Sequence, residues 1–257
     1  MTTSAYEGGQ SAGLQDQARR LCRTMAAIHR RGWCDGTGGN FSVVIRRPPH
    51  LELLMAPSGV DKGQVKPSEL IVVEDSGRVL SGTGKASAET RLHQTIVHST
   101  GAGAVLHTHS QAATLLSLRA IQTASSMPRG EEQQGAPPAR EHDAGEKGAL
   151  PSPEGGIRLV HLVIEGLEML KGLEGIQTHE STIHIPVLAN DQDLDRLSAA
   201  ARPHLAGAPH GILIAGHGLY AWGADLQQAM RHLEILEFLL EQHWRQRLMN
   251  ALEPRTR

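Results

Sequence analysis

The order of short apolar runs and amphipathic helices constrains the fold of this chain most strongly. SELIVVEDSGRVL predicts a β-hairpin that turns at residues 75–77, and AVLHTHS and GILIAGHG predict two further strands with buried apolar residues. The last long segment predicts a helix that begins at Asp225 and has an apolar face between Leu226 and Leu240. Because hairpins are mixed with helices, we predict an α/β fold with one mostly antiparallel sheet covered by helices.

The domain organisation follows from the length of the chain and from two segments of unusual composition. A chain of 257 residues fits one large domain, which we predict between residues 13 and 250. Residues 1–12 are small and polar and predict a disordered tail. Residues 121–156 are rich in Pro, Gly, Glu and Gln, and this composition predicts a mobile insertion without a core of its own.

Charge, hydropathy and cysteine content exclude several classes of function. The net charge of −2 and the scattered basic residues give no support to nucleic-acid binding. No stretch approaches the roughly 20 apolar residues of a membrane helix, and the N-terminus lacks the basic and apolar regions of a secretory signal. Two cysteines, Cys22 and Cys34, cannot form a disulfide framework. We therefore expect a cytoplasmic protein.

Three histidines are candidate metal ligands. His107 and His109 stand two residues apart at the end of an apolar strand, where alternate residues project from the same face. His217 follows a second apolar strand, and the glycines on either side of it allow the backbone to bend and a ligand to approach. Three histidines that leave a position open are the pattern of a catalytic zinc. The alternative is an ordinary strand pair with an unrelated turn histidine.

Two glycine-rich loops and one helix start are candidate anion sites. GTGGNFS (36–42, the first loop) and APSGVDKG (56–63, the second loop) offer backbone amides and hydroxyls beside strands. The helix predicted to begin with Ser87 as its N-cap offers further amides. Each of these alone could be an ordinary turn.

SGTGKAS is not a nucleotide P-loop, because Val79 stands where that motif needs glycine. GTGGN lacks the GxGxxG spacing of dinucleotide sites.

Five short motifs occur in the order in which the class II aldolase superfamily has them, and the chain resembles that family over nearly its whole length. The motifs are Gly39-Asn40-Phe41-Ser42, Ser58-Gly59, Ser87-Ala88-Glu89, His107-Thr108-His109 and Gly216-His217-Gly218-Leu219. Longer stretches, such as PSGVDKGQVKPSELIVV, EMLKG and IPVLANDQDLDRLS, most resemble the methylthioribulose-1-phosphate dehydratases within it. The resemblance implies a three-layer α/β/α fold with helices on both faces of the sheet, a homotetramer, and one Zn²⁺ per subunit.

The same resemblance implies roles for individual residues. His107, His109 and His217 correspond to the zinc ligands. Glu168, in the EMLKG stretch, corresponds to the general acid/base. Glu89 stands where related aldolases carry a glutamate that acts as a base or ligand, although it could instead bind substrate or complement the dipole of its helix. The residues that correspond to the phosphate and substrate site are Gly39, Asn40, Ser42, Ser58, Gly59, Lys62 and Ser87.

The implied reaction is a zinc-dependent dehydration of 5-methylthioribulose 1-phosphate to 2,3-diketo-5-methylthiopentyl 1-phosphate, a step of methionine salvage. The implied partner is a small sugar phosphate. An aldolase of the fuculose- or rhamnulose-1-phosphate type, or a sugar-phosphate epimerase, would use the same metal and the same phosphate loops. A scaffold like the adducin head would need no working metal site, and a protein that stores zinc would not need the phosphate loops.

Overall fold

The structure, a computed structural model, describes residues 3–126 and 156–253, with side chains described from residue 13 onwards. The strands in these residues are β1 (Asn40–Arg46), β2 (Glu52–Met55), β3 (Ile71–Glu74), β4 (Val79–Ser81), β5 (Ala104–Thr108), β6 (Leu159–Glu165), β7 (Thr182–Leu188), β8 (Gly211–Ile214) and β9 (Gly218–Gly223). The α-helices are α1 (Thr3–Arg30), α2 (Thr90–Thr100), α3 (Gln111–Ser126), α4 (Leu194–Leu205) and α5 (Leu226–Leu252). Among the residues described, no helix combines the length and hydrophobicity that a membrane span requires.

The described strands form one sheet in the order β4-β3-β2-β1-β5-β9-β8-β7-β6. Seven of its eight neighbouring pairs are antiparallel, and β7 and β8 are parallel. β5 lies in the middle of this sheet, where its residue His107 is opposite Tyr220 of β9 on one side and Asn40 of β1 on the other. The topology therefore brings together the ends of three strands that are distant in the sequence.

Helices cover both faces of the sheet. Successive residues of a strand point to opposite faces, so Val105 and Leu106 of β5 belong to different parts of the core. Leu106 shares a cluster with buried residues of α1, α3 and α5, whereas Val105 shares one with buried residues of α2 and α4. The prediction of an α/β fold with three layers and a mostly antiparallel sheet is confirmed.

The starts of two helices bear on the site. α5 begins as predicted, because the carboxylate of Asp225 accepts a hydrogen bond from the backbone N–H of Gln228 at 2.8 Å. α2 begins at Thr90 with Glu89 as its N-cap, so the prediction of Ser87 as N-cap is wrong. The Ser87 hydroxyl instead accepts a hydrogen bond from the backbone N–H of Glu89 at 3.3 Å. The side chain of Glu89 makes no capping bond and is free for other contacts.

The predicted tail and insertion can be compared with the structure in part. α1 begins at Thr3, inside the segment 1–12 that we predicted as a tail. α3 extends through Ser126, into the segment at about 121–156 that we predicted as an insertion. The reason is that Ile121 and Ala124 still pack against the core at helical spacing. Residues 127–155, the remainder of the predicted insertion, lie outside the described residues.

Candidate metal centre

Three histidine rings converge at the end of β5. His107 lies in β5, His109 follows this strand, and His217 lies in the turn between β8 and β9. Nε2 of His107 is 2.9 Å from Nε2 of His109 and 3.3 Å from Nε2 of His217. Each pair of ring centroids is 4.7 Å apart. The structure therefore brings the three predicted ligands together around one point.

The spacing of these nitrogens fits a single cation. Two nitrogens bound to one tetrahedral zinc at about 2.0–2.1 Å lie roughly 3.3 Å apart. The observed Nε2 separations, 2.9 and 3.3 Å, are close to this value. Burial lowers the pKa of His107, and it lowers the pKa of His109 to about 4. Both rings are therefore neutral near pH 7, which is the form that binds a metal.

Two contacts orient the ring of His107. Its Nδ1 donates a hydrogen bond to the carbonyl of Leu219 at 2.9 Å, and this leaves the lone pair on Nε2. The ring is fully buried and stacks on Tyr220, with 3.8 Å between centroids and 11° between planes. Such contacts commonly fix the direction of metal-binding histidines. Tyr220 was not predicted from the sequence, because its position opposite His107 depends on the pairing of β5 with β9.

Two glycines allow the chain to approach β5 closely. A Cβ atom at Gly218 would lie 1.9 Å from the carbonyl oxygen of Thr108, and one at Gly39 would lie 2.8 Å from the carbonyl oxygen of His107. Gly39 also has a φ of 76°, which favours glycine. Gly218 allows the turn that carries His217 to lie close to β5, and Gly39 allows the first loop to do the same.

Replacement of Gly218 by alanine is expected to weaken zinc binding by about 10-fold or more, the size of effect seen for residues that orient metal ligands. The added Cβ atom cannot fit against Thr108, so the turn with His217 must move away from β5. Competition with a chromophoric chelator measures the affinity. Gly207→Ala is the matched control, because a Cβ atom there has no neighbour within 4 Å. Wild-type affinity in Gly218→Ala would contradict this account of the turn.

Glu89 brings a carboxylate to the same point. Its Oε1 is 2.8 Å from Nε2 of His217 and 3.6 Å from Nε2 of His107. Its Oε2 accepts a hydrogen bond from the side-chain amide of Asn40. Burial alone would raise the pKa of Glu89, but the contacts with His107 and His217 lower it well below its usual range. The dipole of α2 does not explain these contacts of Glu89. An ionised carboxylate beside three imidazoles fits a zinc-binding donor set.

The two predicted phosphate loops and the predicted helix start meet beside the histidines. The backbone N–H of Ser58 donates to the carbonyl of Lys85 at 2.9 Å, which links the second loop to the segment before α2. Lys62 is buried, and its Nζ donates to the carbonyl of Thr37 at 3.1 Å, which links the second loop to the first. Burial lowers the pKa of this lysine. These hydrogen bonds join the loops into one rim.

The predicted substrate residues on this rim differ in exposure. Ser58 and Gly59 are exposed at the tip of the second loop, and Ser87 is half-buried with its hydroxyl 3.4 Å from a carboxylate oxygen of Glu89. Ser42 is fully buried, and its hydroxyl is 2.8 Å from Nδ1 of His93. The hydrogen bond of Ser42 indicates that it supports the strand beneath the site, whereas Ser58 and Gly59 are exposed and accessible to a ligand.

Glu168 is not among the residues that gather around the histidines. It is the first residue of the 3₁₀ helix Glu168–Gly172, and its side chain is 73% exposed. Its carboxylate accepts a hydrogen bond from Nζ of Lys171 at 2.6 Å and lies 3.8 Å from Nδ1 of His179. The hydrogen bond and charge of Lys171 lower the pKa of Glu168. In one chain Glu168 is a surface carboxylate, and its role as acid/base stays a prediction.

A second group of metal-binding residue types, Glu174, His210 and His232, forms a hydrogen-bonded network. Nδ1 of His232 donates to the carbonyl of Trp222 at 2.7 Å, and its Nε2 accepts from the backbone N–H of Glu174 at 3.4 Å. Nε2 of His210 donates to the carbonyl of Glu174 at 3.3 Å. These ring nitrogens are hydrogen-bonded to backbone groups, and the bonds hold the segment that follows the 3₁₀ helix of Glu168.

Comparisons with known proteins agree on the family and the fold of this chain. The family model of the Class II Aldolase and Adducin N-terminal domain matches residues 19–244. A methylthioribulose-1-phosphate dehydratase of Granulibacter bethesdensis is 42% identical over 82% of each chain, and one of Sorangium cellulosum is 36% identical over 92% of this chain and 95% of its own. The solved L-fuculose-1-phosphate aldolase of Thermus thermophilus has the same fold, with a TM-score of 0.62, 20% identity and coverage of 93% and 100%. This chain belongs to the family of the Class II Aldolase and Adducin N-terminal domain.

Proposed function

We propose that this chain dehydrates 5-methylthioribulose 1-phosphate to 2,3-diketo-5-methylthiopentyl 1-phosphate, the methionine-salvage reaction, with Zn²⁺ as its cofactor. The observation that carries the proposal is the cluster of three histidines and Glu89 beside loops suited to a phosphate. The named relatives support the choice of reaction, because they match at 42% and 36% identity over most of both chains.

Zinc is the cation that this donor set favours. Imidazoles and one carboxylate bind Zn²⁺ in tetrahedral geometry, whereas Mg²⁺ and Ca²⁺ prefer oxygen ligands. A bound Zn²⁺ supplies Lewis-acid stabilisation of the negative charge that develops on substrate oxygens when a neighbouring carbon loses its proton. His107, His109 and His217 would hold it as neutral ligands, and the carboxylate of Glu89 would add one negative charge beside it.

The rim of loops is suited to the phosphate end of the substrate. Backbone amides at Gly39 and Gly59 and the hydroxyls of Ser58 and Ser87 can donate hydrogen bonds to phosphate oxygens. The ammonium group of Lys62 adds positive charge beneath the rim. Binding the phosphate there would fix the distance from it to the reacting carbons, which lowers the entropic part of the barrier.

Two carboxylates are candidates for the proton transfer. Glu89 is already at the histidines, where it would hold the metal or take a proton from the substrate. Glu168 is exposed and paired with Lys171, so within one chain it would remain at the surface. We infer that Glu168 acts on the site of a neighbouring subunit in a homotetramer. This arrangement agrees with the acid/base role that the family resemblance implies for Glu168 and with the exposure of its side chain.

The reaction is tested by incubating the pure, zinc-loaded protein with methylthioribulose 1-phosphate and, separately, with fuculose 1-phosphate. We expect a diketone phosphate to form from the first sugar without loss of carbon, and no turnover of the second. Release of an aldehyde from either sugar would instead indicate an aldolase, and an epimeric sugar phosphate would indicate an epimerase. Either result would overturn the proposed dehydration.

The location and the assembly are further proposals. We propose a cytoplasmic location, which is supported by two cysteines that are both free thiols in the structure. Burial raises the pKa of each thiol to about 11, so that neither is reactive near neutral pH. Light scattering coupled to gel filtration would measure the mass of the assembly, for which we expect four chains.

A further inference from the structure

A buried carboxyl group lies beside the end of β5, where two of the three histidines are found. Glu237 is on the face of α5 that packs against the sheet, in a row with the buried residues Leu233, Leu236 and Leu240, and it is 3% exposed. Burial raises the pKa of Glu237 to about 7. A carboxyl group in an apolar interior is costly unless it is hydrogen-bonded, so its presence requires a structural reason.

The hydrogen-bond partners of Glu237 are the two neighbours of His109. The hydroxyl of Thr108 donates to Oε1 of Glu237, and the hydroxyl of Ser110 is also hydrogen-bonded to this carboxyl group. The hydroxyl of Ser110 in addition accepts from the backbone N–H of Ala113 at 3.2 Å, in the first turn of α3. One side chain of α5 is therefore hydrogen-bonded to the side chains on both sides of a predicted metal ligand.

The end of β5 needs such support. The pairing of β5 with β9 ends at Thr108, so His109 lies beyond the last residue that strand pairing fixes. Its backbone N–H donates to the carbonyl of Trp33 at 2.7 Å, which holds one side of the chain. The other histidine-bearing turn has its own support, because the hydroxyl of Thr114 on α3 donates to the carbonyl of His217 at 3.1 Å.

We propose that Glu237 is a positioning residue, which through Thr108 and Ser110 directs the ring of His109 toward the metal. The inference rests on the proposed metal centre, but it is independent of which sugar phosphate is the substrate. Without the carboxyl group, Thr108 and Ser110 lose a shared partner and the ring of His109 samples several directions. Metal affinity then falls even where the fold remains intact.

The test compares Glu237→Leu, Glu237→Gln and the control Glu241→Gln in full-length protein. Glu241 is one turn further along α5 and pairs with Arg245 at its partly exposed surface. Each protein is titrated with Co²⁺, followed by the visible absorption of the bound ion, and its melting temperature is measured without metal. These readouts separate a loose metal site from a loose fold.

We expect Glu237→Leu to bind Co²⁺ about 10- to 100-fold more weakly, as for other residues that orient metal ligands. Its absorption band should change shape, while its melting temperature without metal should fall by only a few degrees, because leucine fills the space of the carboxyl group but leaves the hydroxyls of Thr108 and Ser110 without this partner. Glu237→Gln should recover most of the affinity, since an amide can hydrogen-bond to both hydroxyls. The control should behave as the wild type.

Wild-type Co²⁺ affinity and absorption in Glu237→Leu would overturn this inference alone, because the metal centre would still bind. A wild-type protein that binds no Co²⁺ would overturn the proposed metal centre as well. If Glu237→Leu does not fold, Co²⁺ binding is measured with Thr108→Val instead, because this change removes the hydroxyl and keeps the shape of the side chain. We then expect weaker Co²⁺ binding by Thr108→Val, and unchanged binding would overturn the inference.

Discussion

Replacing His107 by alanine is expected to remove the zinc and to lower turnover by more than about 100-fold, because changes in residues that only orient ligands already cost 10- to 100-fold. His107 is the central one of the three predicted ligands. Its Nε2 is the atom that lies 2.9 Å from His109 and 3.3 Å from His217. Elemental analysis of the purified protein measures the zinc, and the dehydration assay measures the turnover.

The loss of zinc and of turnover in His107→Ala should result from the missing ligand and not from unfolding. The ring of His107 is fully buried against Tyr220, so its removal also leaves a cavity, and the melting temperature must be measured alongside the zinc content. His98→Ala is the matched control, because this histidine is at the exposed end of α2 and pairs with Asp75. A folded His107→Ala protein with the zinc content of the wild type would show that the metal is bound elsewhere.

Replacing Glu168 by glutamine is expected to leave the zinc in place and to lower turnover by about 10²- to 10⁴-fold, the usual contribution of a general acid or base. The amide keeps the size of the side chain but cannot exchange a proton with the substrate. Because Glu168 is 73% exposed, the change should not alter the melting temperature. Elemental analysis, thermal unfolding and the dehydration assay together measure these three quantities.

A mixture of two inactive variants tests whether Glu168 acts across subunits. In randomly mixed tetramers of Glu168→Gln and His107→Ala, about one quarter of the sites would combine intact histidines with a neighbour's intact Glu168. Activity should therefore return when the subunits are exchanged, and it should not return if both residues serve the same chain. Glu180→Gln is the control for an exposed glutamate in this region. A wild-type rate in Glu168→Gln would instead favour Glu89 as the acid/base.

The convergence of the three histidines could be predicted from the sequence because local rules determine where their side chains point. Alternate residues of β5 share a face, which directs His107 and His109 together, and the glycines around His217 mark a tight turn after a strand. The order of hairpins and helices likewise follows from short-range patterns, which is why the α/β fold with a mostly antiparallel sheet was predicted correctly.

Other features depend on how distant elements pack, and no local pattern reveals them. Glu89 reaches the histidines because the start of α2 lies beside β1 and β5. Ser42 is buried beneath the site because His93 of α2 packs over it. The carboxyl group of Glu237 interrupts an apolar face of α5, and the sequence contained this signal, but its partners Thr108 and Ser110 are supplied by another part of the chain.

The convergence of three histidines on one cation is the central claim, and a crystal of the zinc-loaded protein measured at the zinc absorption edge tests it most directly. We predict one anomalous peak per subunit at about 2.0–2.1 Å from Nε2 of His107, His109 and His217. A zinc peak at other residues, or no peak between these three nitrogens in zinc-loaded crystals, would contradict the account.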